Sequence, residues 1–547
     1  MAIGALYLSC YSSSYAETRA LLVGAWKFAN PQIPDLKGPE NDLAAMDTLM
    51  RSEGASDVTV LRNDQVSRTT VETALHALGL RAKPGDWIVF YYSGHGAEAH
   101  TAVKGTRDGD LDQFVPLPGF DQMHPDAERF IVDKDFYAWL SRYIPPSVKV
   151  LMIADTCHSG TMNRSVDPAL FHFVPRLAFR GDADVFDLVA RPAPQFPAVL
   201  PDTDAAAFPM ATPDRPDLPN VIFVGAAQDD QVAWEHELPV TGAPSRGFLT
   251  YSFEQGLTAR SVDGKTLVAD ANGDGKISVG ELAIYLDSQV RGLSGERQKP
   301  RTSFVSGNEN LALFAQFPAR APLAPQSPLP GLFSAQPGAQ ALLATGDHPW
   351  TVAASAAQAD FLWDARTGKL VRQTGDTVAQ GVTGPAQLRG ALEKWRAIGA
   401  LRPYMNETRA QLVIGPQTSG ARYGPDALVN VALKHAQDLP ASTYVTIFDL
   451  TSLGTVQLLY PVEAADGDGK LGPGGAMPVV NTQAVAPYGA DHVVALVTAA
   501  PPMQFRALLQ TLNNQPAAMQ VVEPIRKVLA DPGAQARLSI AEIYTGS

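Results

Sequence analysis

From Arg19 to Phe314, short apolar runs alternate with stretches whose apolar residues recur at helical spacing, and that alternation limits the folds open to the chain more than anything else in it. The runs are Leu21-Leu22-Val23-Gly24, Val58-Thr59-Val60-Leu61, Trp87-Ile88-Val89-Phe90-Tyr91-Tyr92, Val150-Leu151-Met152-Ile153-Ala154 and Val221-Ile222-Phe223-Val224, with Asn310-Leu311-Ala312-Leu313-Phe314 closing the set. Strands that are apolar at every position are covered on both faces, as happens when helices pack on both sides of a parallel sheet. The covering helices are expected from Gly38-Pro39 onward, with Leu43, Met46, Leu49 and Met50 on one face, and through Val71, Leu75 and Leu78. The expected class is α/β, a mostly parallel six-stranded sheet with flanking helices.

Two of these runs end in small-residue turns that carry reactive side chains. Trp87 to Tyr92 leads into Ser93-Gly94-His95-Gly96, and Val150 to Ala154 leads into Asp155-Thr156-Cys157-His158-Ser159-Gly160. Ligands bind at the carboxyl ends of strands in open α/β sheets, so His95 and Cys157 are expected on one rim. A free thiol is only slightly ionised at neutral pH and needs a neighbour such as imidazole to become a nucleophile. Taken singly, His95 reads as a turn histidine and Cys157 as a buried small hydrophobe. Taken together they read as a cysteine-protease dyad.

The chain has 547 residues, 45% of them hydrophobic, which is enough for two or more domains. A formal net charge of −13 with no block of Lys or Arg argues against nucleic acid or an anionic membrane as partner, and suits basic peptides. Cys10 and Cys157 are the only cysteines, so no disulfide framework is expected. Residues 1–16 have the apolar stretch and small-residue junction of an export signal, with Ala16-Glu17 as the cleavage point, although a basic start is missing. That favours an exported over a cytoplasmic protein; a disordered or strand-forming N-terminus is the alternative. The stretch is too short to span a membrane.

The first domain is expected over residues 17–317. It contains a proline-rich exposed loop at 161–219, whose Arg164, Arg176, Arg180, Arg191 and Arg215 are accessible candidates for self-cleavage. A proline-rich linker at 318–340 leads to a β-rich domain at 341–547, whose clearest strands are Tyr444 to Phe448, Val456 to Tyr460 and His492 to Val497.

Residues 270–281 fit a calcium loop of the EF-hand type. Asp270, Asn272, Asp274 and Ser278 supply oxygens at positions 1, 3, 5 and 9, Lys276 a backbone carbonyl at 7, and Glu281 a carboxylate at 12, with Gly275 at 6. Calcium is the expected cofactor, in a structural or regulatory role. An Asx-rich turn capping a helix that starts near Val279 is the metal-free alternative.

Through Leu21-Leu22-Val23-Gly24, Gly38-Pro39-Glu40-Asn41-Asp42, Tyr91 to Gly96, Asp155 to Gly160 and Ala226-Ala227-Gln228-Asp229-Asp230-Gln231, the chain resembles the caspase-like clan of cysteine peptidases, in particular the prokaryotic metacaspases (orthocaspases). The resemblance implies a caspase-like fold, Cys157 as nucleophile, His95 as its proton-transfer partner, and an oxyanion hole from the backbone amides of Gly96 and Cys157. It implies a thioester intermediate and cleavage after Arg or Lys, with Asp155 at the base of the specificity pocket. Where a second pocket acid is expected the chain has Asn163-Arg164-Ser165, so Asp112 or Asp110 is the candidate replacement. The C-terminal part resembles accessory modules of unknown function through Gln457-Leu458-Leu459-Tyr460-Pro461 and Pro487-Tyr488-Gly489. The rival reading is a catalytically silent scaffold whose C-terminal domain carries the function. Oligomeric state is left open, a monomer included.

Overall fold

A computed structural model describes residues 16–100, 111–121, 123–124, 126–157, 174–176, 178, 218–228, 231–240, 242–259, 267–272, 274–295, 297–313, 329–405, 411–415, 421–434, 443–462, 466–472 and 480–546. The chain forms two compact units. The first comprises Met1–His236, Pro244–Leu257 and Ala269–Pro322, and the second Glu237–Ala243, Thr258–Val268 and Leu323–Ser547.

In the first unit the chain runs β1 (Thr18–Gly24), α1 (Gly38–Ser52), β2 (Asp57–Arg62), α2 (Arg68–Arg81), β3 (Trp87–Ser93), β4 (Ala97–His100), β5 (Leu111–Pro116), β6 (Phe130–Val132), α3 (Asp133–Tyr143), β7 (Lys149–Asp155), β8 (Val174–Pro175), β9 (Val221–Gly225), β10 (Trp234–Glu237), β11 (Ser245–Gly247), α4 (Phe248–Thr258), β12 (Ile277–Ser278), α5 (Val279–Ser294), β13 (Arg301–Ser303) and β14 (Ala312–Leu313). The main sheet has six strands in the order β13-β9-β7-β3-β1-β2. All are parallel except β13, which runs antiparallel to β9. The expected class therefore holds, with one strand exchanged. Ala312–Leu313 pairs with Ile277–Ser278 outside the main sheet, and the sixth strand is Arg301–Ser303. That strand is short and polar, so it carries no hydrophobic signal; its place at the edge of the sheet asks for none.

The central strands β1 and β3 are buried along their whole length, and β7 nearly so. On one face Leu21, Val23, Ile88, Phe90, Tyr92 and Val150 pack with Val71, Leu75 and Leu78 of α2 and Phe136, Trp139 and Leu140 of α3. Helix α1 begins with proline in its first turn and buries Leu43, Met46, Leu49 and Met50, as the spacing predicts. Helix α2 is capped by Ser67, whose side chain accepts the Thr70 N–H. The start of β1 is tied to the turn before β3 by a buried ion pair between Arg19 Nη1 and Asp86 Oδ2 at 2.5 Å. Asp86 also accepts the N–H groups of Glu17 and Lys83 at 2.7 and 2.9 Å.

The second unit is built on a six-stranded sheet in the order 421–423, 537–545, 490–498, 444–450, 455–460, 515–516, together with a five-stranded and a three-stranded sheet. Val445, Ile447, Val493 and Ala495 line one side of the large sheet. Phe448, Leu450, Val494 and Leu496 line the other and meet Ile398, Phe505, Leu509 and Ile525 from helices. The unit is β-rich, and the three strands expected from the sequence all lie in this sheet. It begins earlier than the expected 341: Gly331–Phe333 is a strand and Pro337–Leu343 a helix, so the last part of the expected linker is ordered structure. Among the described residues no helix is long and apolar enough to cross a membrane. Cys10 and the expected export signal, up to residue 15, lie outside the described residues.

Removing the Asp86 carboxylate leaves Arg19 buried with less to balance it, so Asp86→Ala is expected to destabilise the fold by roughly 3 kcal/mol, against about 1 kcal/mol for Ser67→Ala, both read from urea unfolding. Burial alone would raise the Asp86 carboxyl, but the N–H groups of Glu17 and Lys83 and the Arg19 guanidinium bring it below the usual range. A lowered folded-state value gives stability that is present above the ordinary carboxylate pKa and lost as pH falls through the lowered one. The deficit of the Asp86 variant should therefore shrink below about pH 4.

Candidate active site

Strands β3 and β7 are neighbours in parallel register, with Ser93 opposite Asp155. The turns that follow them leave the sheet at the same edge, and each carries its reactive residue two positions beyond the paired one. The turns are pressed together: a β-carbon on Gly96 would lie 1.8 Å from the Cys157 carbonyl oxygen and 2.7 Å from Thr156 Oγ1, so only glycine permits the approach. His95 is fully buried, with Nε2 2.7 Å from the carbonyl oxygen of Pro34 and its ring 5.3 Å from that of Phe28. A carbonyl can only accept, so Nε2 holds the proton, and in the neutral ring Nδ1 holds the lone pair that a base needs. Cys157 is also buried; its Sγ accepts the Ala233 N–H at 3.1 Å. Burial pushes this thiol up to about 12, against hydrogen bonding from the backbone of Ala233 and the nearby Arg176.

Beneath the turns lies a closed acidic pocket occupied by Arg176. Its guanidinium is fully buried and meets Asp42 Oδ2 at 2.5 Å, Asp155 Oδ1 at 3.1 Å and Glu235 Oε2 at 3.5 Å. It also donates to Ser93 Oγ and to the Asp155 carbonyl oxygen, both at 2.8 Å. Each acid is fixed independently of the arginine. Asp155 accepts from Thr250 N and Oγ1 at 2.9 and 2.5 Å. Glu235 accepts from Lys37 N and Gly38 N at 2.8 and 3.1 Å. Asp42 accepts from Arg246 Nε at 2.8 Å and from Gly247 N. Burial raises the carboxyls of Asp155 and Glu235, and Arg176 draws both back down. The walls are glycine where room is needed: a β-carbon on Gly38 would stand 2.6 Å from Arg176 Nη2, and one on Gly247 2.7 Å from Arg176 Cζ.

The main chain around Arg176 is equally well held. Val174 and Pro175 pair antiparallel with Glu235 and Trp234 of β10. The Arg176 N–H donates to Ala233 O at 2.9 Å, the Arg176 carbonyl accepts the Gly96 N–H at 3.0 Å, and the Ala178 N–H donates to Gly96 O at 3.2 Å. Val174 to Arg176 thus run along β10 through the site, with the Arg176 carbonyl on an amide expected to belong to the oxyanion hole.

The structure therefore brings His95, Gly96, Asp155 and Cys157 together and corrects two expectations. Arg176, expected to be accessible in an exposed loop, is buried; Arg164, Arg180, Arg191 and Arg215 lie outside the described residues. The acids that join Asp155 on the guanidinium are Asp42 and Glu235, whereas Asp112 sits on β5 opposite Ala99 and Asp110 lies outside the described residues. Asp42 was visible in the Gly38 to Asp42 motif, but only the fold shows that the start of α1 meets the end of β7. For Glu235 the sequence offered no signal.

In the 270–281 loop, Asp270 accepts the N–H groups of Asp274 and Gly275, Asn272 Oδ1 accepts that of Asp274, and Asp274 Oδ1 that of Lys276. Glu281 accepts from Asn272 N, Ser278 N and Ser278 Oγ, and Ser278 caps α5. Among the described residues no three His, Cys, Asp or Glu side chains stand close enough to share a metal ion.

A sequence model of the metacaspase, peptidase C14 domain matches residues 18–165. Metacaspase-1 of Mycosarcoma maydis is 33% identical over 159 residues, which cover 28% of this chain and 38% of that protein. Metacaspase-1 of Scheffersomyces stipitis is 31% identical over 164 residues, 28% of this chain and 39% of the relative. That of Meyerozyma guilliermondii is 34% identical over 159 residues, 27% and 37%. The matched region thus spans less than half the length of these curated relatives. Among solved structures, a protein from Geobacter sulfurreducens has a TM-score of 0.36 at 20% identity, over 54% of this chain and 97% of that one, too slight a likeness to bear on the assignment. The match covers β1 to β7 and the turns that bear His95 and Cys157, and over that stretch the chain is similar to the metacaspase, peptidase C14 domain.

Proposed function

We propose that the chain is a cysteine endopeptidase that cuts proteins after Arg or Lys and processes itself within the 161–219 loop. The observation that carries this reading is the pocket below Cys157, where Asp42, Asp155 and Glu235 face a guanidinium and Arg246 pairs with Asp42 from the side. Such a pocket rewards a cationic side chain and repels an acidic one. In the reaction, His95 Nδ1 takes the Cys157 proton and the sulfur attacks the carbonyl carbon of the residue whose side chain fills the pocket. The Gly96 N–H steadies the oxyanion, a role worth about 3 kcal/mol for a well-placed donor. The C–N bond then breaks with the proton passing from His95 to the leaving amine, and water releases the acyl group from sulfur. Burial raises the thiol, so its proton is expected to pass to His95 and not to solvent.

The test is hydrolysis of fluorogenic peptides ending in Arg, Lys or Asp by the full chain. Cleavage after Arg or Lys and not after Asp is expected, with complete loss in Cys157→Ala. Glu235→Gln should lower kcat/KM on the Arg peptide by on the order of 30-fold without creating cleavage after Asp. Absence of hydrolysis in every arm would leave the silent-scaffold reading.

For the 270–281 loop we propose calcium, held by Asp270, Asn272, Asp274, Ser278 and Glu281 with the Lys276 carbonyl. The donors are all oxygen, the set a hard divalent cation takes. Calcium there would fix the loop ahead of α5. An ion bound only by the folded chain raises Tm as its concentration exceeds Kd. A calcium-dependent rise in Tm is expected, blunted in Glu281→Gln; no shift at millimolar calcium would leave the loop a capped turn.

A further inference from the structure

Helix α5 stops at Ser294, and the chain turns through the left-handed Gly295 towards Gln298, which is fully buried. The Gln298 N–H donates to Ser294 Oγ at 3.0 Å, which fixes its main chain. Its side-chain amide joins two other segments: Oε1 accepts the Trp234 N–H at 2.9 Å, and Nε2 donates to Ala226 O at 2.8 Å. The next two residues continue the seam, with the Lys299 N–H on Gln231 Oε1 at 2.8 Å and Pro300 O accepting from Gln228 Nε2 at 2.9 Å. Residues 298–300 thus hold the Ala226 to Gln231 motif, to which the dyad and the pocket give no part.

Both segments joined by that amide lead to the reacting groups. Trp234 stands between Ala233 and Glu235. Both polar main-chain groups of Ala233 face Cys157 Sγ, the N–H at 3.1 Å and the carbonyl at 3.6 Å, and the Glu235 carboxylate lies in the acidic pocket. On the other side, the Ala226 N–H donates to Ala154 O at 3.0 Å, on the strand that leads into Cys157. The Gln298 amide therefore spans from the strand end that carries the sulfur to the strand that supplies its hydrogen-bond donor. We propose that Gln298 is a positioning residue for the nucleophile, holding the Ala233 N–H on the Cys157 sulfur and Glu235 in the pocket. The proposal rests on the peptidase reading above and adds to it a residue that touches neither the dyad nor the pocket. The closer of the two Ala233 groups, the N–H, favours thiolate over thiol. Slack in β10 would weaken that support and shift an acid of the pocket at the same time. An apolar side chain of equal size could fill the place of Gln298, but it would give neither the Trp234 N–H nor the Ala226 carbonyl a partner.

The experiment compares the full chain with Gln298→Met, which keeps the volume and removes both hydrogen bonds, and with Gln298→Glu. The glutamate presents the same acceptor and donor when protonated and loses the donor when ionised. Ser67→Ala serves as a variant weakened at a helix cap instead, and all four chains are assayed below the onset of unfolding as followed by circular dichroism. Alkylation of Cys157 by iodoacetamide at about pH 8, read by peptide mass spectrometry, is expected to be about tenfold slower in Gln298→Met and unchanged in Ser67→Ala. On an Arg fluorogenic peptide, kcat should fall and KM rise in Gln298→Met, and neither should move in Ser67→Ala. Gln298→Glu should match the parent at about pH 6, where a buried carboxyl keeps its proton, and approach Gln298→Met at about pH 9. Alkylation as fast as the parent's or faster in a folded Gln298→Met, or a Gln298→Glu chain that follows the parent at every pH, would overturn the positioning role and leave the peptidase reading standing. A parent that hydrolyses no peptide would instead count against the peptidase reading, and the alkylation rates would still decide whether Gln298 governs Cys157. Should Gln298→Met fail to fold, Gln298→Glu carries the same comparison between its two protonation states.

Discussion

The cluster of Asp42, Asp155, Glu235, Arg176 and Arg246 ties together five segments of the first unit. Its members come from α1, the end of β7, β10, the segment after β8, and β11. Isolated buried carboxylates are costly, and a group of three is tolerated only with cations and N–H donors arranged around them. The protein meets that demand with backbone amides at Lys37, Gly38, Gly247 and Thr250, so the acids keep their positions through contacts that do not involve Arg176. A buried pair that existed only for stability would gain little over apolar packing, which is why the occupant's main-chain hydrogen bonds weigh as much as its charge.

The site's chemistry is set by close approach as much as by charge. Gly96 lets the histidine turn touch the cysteine turn, and Gly38 and Gly247 leave room for a planar guanidinium between acids from different elements. Tyr91 and Thr250 extend the network behind Asp155, with their hydroxyl groups 2.7 Å apart. Substitution at any of these glycines would place a methyl group on the Cys157 backbone or on the ion-paired arginine and carboxylates, which are held from several sides.

The second unit has its own buried polar centre, with a different character. Lys394 is fully buried, donates to Ala490 O at 2.8 Å, lies 3.3 Å from His492 Nδ1 and stands 4.2 Å from the Trp395 ring centre. Burial lowers the lysine and the attraction of Asp491 works against that. These groups lock the helix at 385–401 to the strand at 490–498 with a geometry that apolar packing alone does not specify.

The alternation of apolar runs determined the parallel sheet, and the runs ending in Gly-His-Gly and Asp-Thr-Cys determined which side chains would reach its edge, because local periodicity and turn chemistry are written in neighbouring residues. Val445 to Phe448 and Val493 to Leu496 were equally legible as strands of the second unit. Arg301–Ser303 was not, since an edge strand this short and polar leaves no pattern. The pocket was legible only at Asp155. Asp42 and Glu235 stand far from it in sequence, and nothing local marks them as partners; the crossing of α1, β7 and β10 decides that. Arg176 shows the difference most clearly. In sequence it is one arginine among several in a proline-rich stretch, and only the tertiary structure, by closing three carboxylates on one guanidinium, decides which of them the site takes.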